Sequence, residues 1–263
     1  MEWLKLLPAD RLWIFALVLA RVCGLMTSAP IFSSVHVPVR FRVLMGIALA
    51  GLIFPTQWNA AIPETEHLAA LVVLIGTEWF IGLALGLAVA IVFAGIQMAG
   101  EVMSRTGGLM LADLFDPQTG HENTILSQFL GVIASTLFFV TGTHRLLVDT
   151  LLRTFSELPL GSTCIQTDFH TTFVTLVTQS FIFAVRVAAP TVVILLAATL
   201  ILGFAARTLP QLNILAVGLG INVIILIAGL MLTMAGIAWV FCEELDVWPE
   251  VMLEAFARNS PLP

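Results

Sequence analysis

Long apolar runs constrain the fold of this sequence more than any other feature. Residues 212–242 include no charged side chain. Of all 263 residues, 59% are hydrophobic and only 11% are charged, whereas soluble domains carry about 25% charged residues. The chain therefore has too few polar side chains to cover a soluble domain. Its apolar surface must face lipid, other hydrophobic subunits, or both.

Six apolar regions approach the roughly 20 residues that a helix needs to cross a bilayer core. They are residues 12–29, 43–54, 68–97, 125–140, 173–202 and 212–242. Two of these regions are short and two are long, so they fit a bundle of six regular spans poorly. We expect residues 43–54 to form a buried or re-entrant helix. We expect the last region to bend or break at Gly218 and Gly220.

The periodicity of the sequence indicates an all-α protein. No run alternates apolar and polar residues with the period of two that is typical of a membrane β-barrel strand. No repeat and no insertion of the size of a soluble domain is present, so we predict a single domain over residues 1–263. Lys and Arg are balanced between the two sides of six alternating spans, so the positive-inside rule gives no orientation. This balance also indicates that the helices are not six ordinary spans.

Several function classes are excluded by composition and by missing motifs. The net charge of −6 argues against nucleic-acid binding, which needs clustered Lys and Arg. The sequence lacks the metalloprotease, serine hydrolase, phosphate-loop and dinucleotide-binding motifs. Its histidines are scattered, and Cys23, Cys164 and Cys242 are too far apart to suggest a disulfide set or metal site. We therefore predict a protein that is not an enzyme and has no cofactor or metal.

Charged residues within the apolar runs, or at their ends, are candidate functional residues, because each needs protein or water around it. They are Arg21, Glu78, Glu101, Arg105, Arg145, Asp149, Arg186 and Arg207. Glu101 and Arg105 have the i,i+4 spacing with the acid first, and Arg145 and Asp149 have it in the weaker order. One hypothesis is a proton relay or transporter site. The other is a set of ion pairs that fix helix register and subunit contacts, which the predominance of arginine favours.

A stripe of small residues predicts close helix packing. Gly82, Gly86, Ala90 and Ala94 recur at every fourth position of one apolar run. Small side chains at this spacing let a second helix approach closely. The pattern does not tell whether that second helix belongs to this chain or to another.

Residues 103–124 form the most unusual segment. Gly107 and Gly108 at one end and Asp116 and Pro117 at the other are turn signals. The apolar residues between them are Leu109, Met110, Leu111, Leu114 and Phe115. These side chains must pack somewhere, and two hypotheses remain open. The segment is either a connector packed on its own bundle or a movable plug across a pore.

The order of motifs along nearly the whole chain resembles the flagellar biosynthetic protein FliR family. The motifs are Arg21, SAPIF (28–32), Pro38, Arg40, the run ending at Pro55, GLMLADLFDP (108–117), TGTHRLL (141–147), LPLG (158–161) and RTLPQLNILAVG (207–218). The PQxN element and the Asp-Pro turn are the most specific parts. A virulence-associated type III secretion homologue shares much of this pattern, whereas FCEEL at 241–245 resembles the flagellar branch more.

The resemblance implies a core subunit of the type III protein export gate in the bacterial inner membrane, within the flagellar basal body. Such a subunit forms helical hairpins with broken helices in a closed hetero-oligomeric ring with FliP and FliQ, and FlhB associates at the cytoplasmic side. Unfolded rod, hook and filament proteins pass through this ring.

The resemblance also assigns roles to two segments. It implies a plug role for residues 107–117, and a break of the last hairpin at a subunit contact around Pro210, Gln211 and Asn213. The alternatives are the equivalent virulence subunit and, in a different class, a stand-alone secondary transporter. The transporter hypothesis is motivated by Glu78, Glu101 and Pro190 in apolar runs.

Overall fold

The computed structural model describes residues 9–34, 37–58, 60, 68–109, 124–161, 168–208 and 214–257, in which eight α-helices and no β-strand occur. The helices are α1 (Ala9–Ser28), α2 (Pro30–Ser33), α3 (Val39–Ile53), α4 (Leu68–Thr106), α5 (Ile125–Val140), α6 (Thr143–Glu157), α7 (Asp168–Thr208) and α8 (Ile214–Ala257). A 3-10 turn, Phe54–Gln57, follows α3 directly. The prediction of an all-α membrane protein is confirmed.

The chain forms two compact units, and each unit combines segments that are distant in the sequence. The first unit contains Met1–Ile91, Gly142–Leu176 and Leu245–Pro263, and the second contains Val92–Thr141 and Val177–Glu244. Both units are discontinuous, because α4, α7 and α8 each contribute to both. The single domain over residues 1–263 stays a prediction.

Three helices are much longer than a bilayer is thick. The helices α4, α7 and α8 have 39, 41 and 44 residues, so each is about 60 Å long or more at 1.5 Å per residue. A bilayer core measures about 30 Å. Within the described ranges, five helices are long and apolar enough to cross a membrane, and α5 with α6 forms a broken sixth candidate. Gly142, with a φ of 79°, lies at the break between α5 and α6.

The third helix corrects one expectation. Instead of a short buried segment over residues 43–54, α3 begins at Val39 and continues through the 3-10 turn, giving a 19-residue candidate span of which only 17% is buried. The helix begins before the apolar run because Arg40 and Arg42 occupy its first turn. Arginine is a good helix former, and its long side chain can reach from an apolar segment to water.

Of the predicted bend or break at Gly218 and Gly220, the break is wrong. Helix α8 continues through both glycines, and α7 continues through Pro190. Glycine in a helix interior costs only about 1 kcal/mol relative to alanine, which the hydrogen bonds of a long helix in apolar surroundings offset.

In the first unit, glycines bring α1 and α4 into backbone contact. A Cβ atom at Gly82 would overlap the carbonyl oxygen of Arg21, and one at Gly86 would overlap Ser28 and Ala29. Gly24 on α1 is equally close to the backbone of α4 at Trp79 and Leu83. The partner of the predicted small-residue stripe is therefore a helix of the same chain.

The stripe does not extend as far as predicted. Ala90 is half-buried and Ala94 is exposed. Residues four apart are rotated by about 40° around a helix with 3.6 residues per turn. After three such steps, Ala94 therefore faces about 120° away from Gly82. Gly82 and Gly86 therefore lie against α1, whereas Ala94 is exposed.

In the second unit, four phenylalanine rings form the centre of the core. Phe93 lies 5.8 Å from Phe138 and 5.6 Å from Phe241, measured between ring centroids, and Phe183 lies 6.2 Å from Phe241. All four side chains are buried. The two pairs that Phe93 makes are edge-to-face, an arrangement that adds about 0.5–1.5 kcal/mol beyond the apolar area.

Gly82→Ala should lower the stability of the protein extracted from its native membranes with mild detergent, because the added methyl group collides with backbone rather than with a movable side chain. Overpacking of this kind costs about 1–3 kcal/mol. Gly76→Ala on the same helix is the matched control, since a Cβ at Gly76 meets nothing within 4 Å. Thermal unfolding in mild detergent should show a lower midpoint for Gly82→Ala only. Equal midpoints for the two variants would contradict the close approach of α1 and α4.

Candidate functional site

A buried ion pair joins Arg21 of α1 to Glu78 of α4. The Nε atom of Arg21 donates to Oε2 of Glu78 at 2.6 Å, and the two side chains are 0% and 1% exposed. The close contact of α1 with α4 brings these side chains together across 57 positions of sequence. Both residues were candidates from their position within apolar runs, and the structure makes them partners of each other.

The pair is completed by α6 and the turn that follows it. Arg21 donates through Nη1 to Oγ1 of Thr154 at 3.3 Å and through Nη2 to the carbonyl oxygen of Leu158 at 3.1 Å. The backbone N–H of Gly161 donates to Oε1 of Glu78 at 3.0 Å. We call these five residues, together with Phe155, the clamp.

The sequence of α6 and of the turn after it explains how this part of the chain reaches Arg21 and Glu78. Helix α6 buries one face, made of Thr143, Leu147, Thr150, Leu151, Thr154 and Phe155. The ring centroid of Phe155 lies 4.2 Å from the guanidinium carbon of Arg21. Gly161 has a φ of 84°, a conformation that favours glycine, and so ends the turn with its N–H directed at Glu78.

The clamp is suited to holding helices rather than to moving protons. Arginine does not release its proton, and both oxygens of Glu78 already accept hydrogen bonds. A buried ion pair needs such additional hydrogen bonds to offset the loss of hydration. The arrangement therefore fixes α1, α4 and α6 in one register.

The other predicted charges lie on exposed helix surfaces. Glu101 accepts from Nε of Arg105 at 3.1 Å, as the spacing indicates. Asp149 pairs with Arg153 at 2.7 Å, and Arg145 takes no part in this pair. The acid precedes the base in Asp149–Arg153, which is the favourable order on a helix, whereas Arg145–Asp149 has the reverse order.

Two predicted arginines lie on exposed surfaces of α7. Arg186 and Arg207 are both exposed, and neither has an ion-pair partner within 4.0 Å among the described residues. No group of three or more His, Cys, Asp or Glu side chains in the described ranges is placed to hold a metal.

The start of the predicted plug is a well-formed helix end. After Thr106, the N–H of Gly108 donates to the carbonyl of Arg105 at 3.2 Å, and the N–H of Leu109 donates to that of Ser104 at 3.1 Å. With a φ of 80° at Gly108, this is a Schellman motif. The other plug candidates, Met110, Leu111, Leu114, Phe115, Asp116 and Pro117, lie outside the described residues, as do Pro210, Gln211 and Asn213.

The segment of residues 103–124 also ends at a defined helix cap. The hydroxyl of Thr124 accepts a hydrogen bond from the N–H of Ser127 at 3.3 Å, which starts α5. Thr124 is therefore the N-cap residue of that helix. Residues 110–123 connect two helix ends that are each fixed by their own hydrogen bonds.

The fold defines an all-α integral membrane protein with a buried structural clamp. The family model for bacterial export proteins, family 1, matches residues 12–247, nearly the whole chain, and the chain therefore belongs to this family. Members of this family are structural export components and not enzymes, so this chain is not an enzyme.

Individual relatives agree with the family. The flagellar biosynthetic protein FliR of Bacillus subtilis is 29% identical over 92% of this chain and 94% of its own length. That of Caulobacter vibrioides is 27% identical over 90% and 94%. The surface presentation of antigens protein SpaR of Shigella sonnei is 25% identical over 72% and 70%. The chain is a membrane component of a type III export apparatus and works in a complex with other export components.

Glu78→Gln should destabilise the chain strongly, because Arg21 would remain buried without a counter-charge. Breaking a buried pair in this way costs about 3–5 kcal/mol. Asp149→Asn is the matched control, since an exposed i,i+4 pair contributes only about 0.3–0.5 kcal/mol. We expect the midpoint of thermal unfolding in detergent and the amount of chain in membranes to fall for Glu78→Gln and not for Asp149→Asn.

A double replacement separates the clamp from a general effect of substitution. Arg21→Met combined with Glu78→Met removes both charges and keeps similar volumes, so it should regain part of the lost stability. If the double variant loses as much stability as its two single variants lose together, the residues are not coupled.

Proposed function

We propose that this chain is a core subunit of the flagellar type III protein export gate. In this proposal it forms, with subunits of the FliP and FliQ families, the channel for unfolded flagellar rod, hook and filament proteins. A subunit of the FlhB family associates at the cytoplasmic side. The assembly lies in the bacterial inner membrane, at the flagellar basal body. The observation that carries the proposal is the uncovered apolar surface of α7 and α8.

That surface is far larger than one chain can cover. Only 22% of each candidate span in α7 and α8 is buried, compared with 61% in α4. Large apolar side chains remain open along both helices, such as Leu200 at 66% and Leu232 at 81% exposure. Since both helices are about twice as long as a bilayer core is thick, lipid alone does not account for their whole length. Helices of other subunits are the matching cover.

The interior of the first unit supports the same conclusion. Its close helix contacts and its clamp are complete within the chain. The second unit likewise buries its own core of four phenylalanine rings, so the exposed apolar faces of α7 and α8 are not the result of a poorly packed protein. They are surfaces that remain after the chain has made its own contacts.

We also propose that residues 103–124 act as the pore plug. The Schellman motif at Gly108 and the N-cap at Thr124 give the segment two defined ends. Between them the sequence places Met, Leu and Phe side chains, which are suited to sealing an aqueous pore. The two caps end α4 and start α5 by hydrogen bonds that do not involve the residues between them.

The flagellar assignment is favoured over its alternatives. The two flagellar relatives described above match more of this chain, and at higher identity, than the SpaR protein. A stand-alone transporter needs a carboxylate that is free to take up an ion or a proton. Glu78 is instead held by Arg21 and Gly161, and Glu101 is paired with Arg105.

Expression with and without partners tests the assembly. The chain expressed alone should be degraded within minutes to hours, because its apolar faces lack their cover, and it should persist when FliP- and FliQ-family subunits are expressed with it. Pulse-chase labelling in cells measures both lifetimes. A stable chain that purifies alone and takes up a solute would contradict the proposal and support the transporter.

Polar replacement of the apolar side chains between Gly108 and Asp116 tests the plug without changing the length of the segment. Replacing Leu109, Met110, Leu111, Leu114 and Phe115 by serine should raise the permeability of cells that contain the complete complex. The control replaces Gln118, Thr119 and Asn123 by serine in the same loop and should leave permeability unchanged. Entry of a small dye measures the leak. Equal entry in both variants and the wild type would contradict a sealing role.

A further inference from the structure

Helix α3 of the first unit leaves most of its surface uncovered. Its buried residues, Gly46, Ala50 and Ile53, form one narrow strip that packs on α1. Only 17% of the span Val39–Gln57 is buried. The large apolar side chains on the rest of the helix are exposed, namely Val39, Phe41, Val43, Leu44, Ile47 and Leu52. The other sides of α3 therefore need an apolar cover from outside the chain.

The length of this span fits a bilayer, unlike the lengths of α4, α7 and α8. Val39–Gln57 has 19 residues, which correspond to about 28 Å at 1.5 Å per residue. A bilayer core is about 30 Å thick. Lipid can therefore meet the uncovered face of α3 along its whole length, and no part of the span has to project beyond the core.

Side chains typical of a membrane interface lie at both ends of the span. Arg40, the second residue of α3, is exposed. At the other end Trp58 is 41% exposed, and the guanidinium carbon of Arg11 lies 4.0 Å from its ring centroid. Tryptophan and arginine are suited to this depth, because their apolar parts face acyl chains while their polar ends reach the head groups. The 18 residues from Arg40 to Trp58 correspond to about 27 Å, a spacing that a bilayer explains and a neighbouring protein helix does not.

No carboxylate balances the charge of Arg40. Residues 11–63 contain no Asp or Glu, and no acidic side chain in the described ranges forms an ion pair with Arg40 within 4.0 Å. Helix α4 approaches the end of α1 at Gly86, and it has no acid between Glu78 and Glu101. The anion that Arg40 binds has to come from outside this part of the chain.

Arg42 adds a second positive charge to the same end of α3. Its Nη2 atom donates to the carbonyl oxygen of Ser34 at 3.3 Å, a neutral partner that leaves the charge in place. It is half-buried, whereas Arg40 is exposed. Arg42 therefore strengthens the attraction for an anion, and Arg40 is the side chain that reaches it.

An apolar track runs along α3 from Arg40. Leu44, Ile47 and Gly51 follow it at steps of four, three and four residues, so all four positions lie within about 60° around the helix. All of them are exposed, and a Cβ atom at Gly51 would meet nothing within 4 Å. A linear acyl chain can lie along this track while its head group stays beside Arg40.

We infer that the exposed face of α3 binds an anionic phospholipid. The phosphate binds the guanidinium of Arg40, and an acyl chain lies on Leu44, Ile47 and Gly51. The inference goes beyond the proposed function, because it requires only that the protein lies in a membrane. It makes α3 the side of the chain that meets lipid, in contrast to α7 and α8, for which we propose a cover of other subunits.

A photo-crosslinking amino acid at Leu44 identifies what covers α3. The protein, purified with the subunits that accompany it in native membranes, is reconstituted into vesicles that contain equal amounts of phosphatidylglycerol and phosphatidylcholine. We expect adducts with phospholipid, and about fivefold more of them with phosphatidylglycerol than with phosphatidylcholine, because each arginine near the membrane surface favours anionic lipid by about this factor. Mass spectrometry measures both adducts.

Variants of Arg40 test the site of the head group. Arg40→Gln should remove the preference for phosphatidylglycerol, whereas Arg40→Lys keeps the charge and should retain the preference. Arg145→Gln is the matched control, since Arg145 is an exposed arginine on another helix of the same unit, and it should behave like the wild type. An adduct with a peptide of another subunit, equal yields of the two lipids in the wild type, or an undiminished preference in Arg40→Gln would each overturn the inference.

Discussion

The structure depends on one imbalance: the chain has more apolar helix surface than its own core can cover. Helix α4 is well covered, with 61% of its candidate span buried, whereas α7 and α8 each reach 22%. Because burial of apolar area is the main favourable contribution to association, uncovered faces of this size specify contacts with other molecules. Membership of the export family rests on the family model that matches residues 12–247. The proposal of a multi-subunit gate rests on this uncovered surface.

Two arginines in apolar surroundings illustrate the same physical rule with opposite outcomes. Arg21 is fully buried and is satisfied by Glu78, Thr154 and Leu158 of its own chain. Arg186 is exposed and has no ion pair among the described residues. The cost of an unpaired charge in an apolar medium applies to both. The first arginine holds three helices together, whereas the second interacts electrostatically with the carboxylate of Glu244 at a longer range.

Much of the fold was predictable from the sequence, because long apolar runs and turn residues act locally. Each of the six apolar regions lies largely within a helix, and the order of acid and base indicated the Glu101–Arg105 pair. The start of α3 and the continuity of α8 were not predictable, because arginines and glycines permit more than one local structure. The pairing of Arg21 with Glu78 joins residues 57 positions apart, and nothing local indicates such a partner. The contribution of Gly161 depends on a turn that brings its N–H to Glu78, 83 positions away in the sequence.

We propose that other protein subunits cover α7 and α8 along most of their length. A cryo-electron microscopy structure of the native assembly in a lipid nanodisc would show this cover. We expect protein helices against Leu200, Leu232 and Trp239, with part of both helices outside the lipid density. A single copy of the chain that crosses the bilayer alone, with lipid against these three side chains, would contradict it.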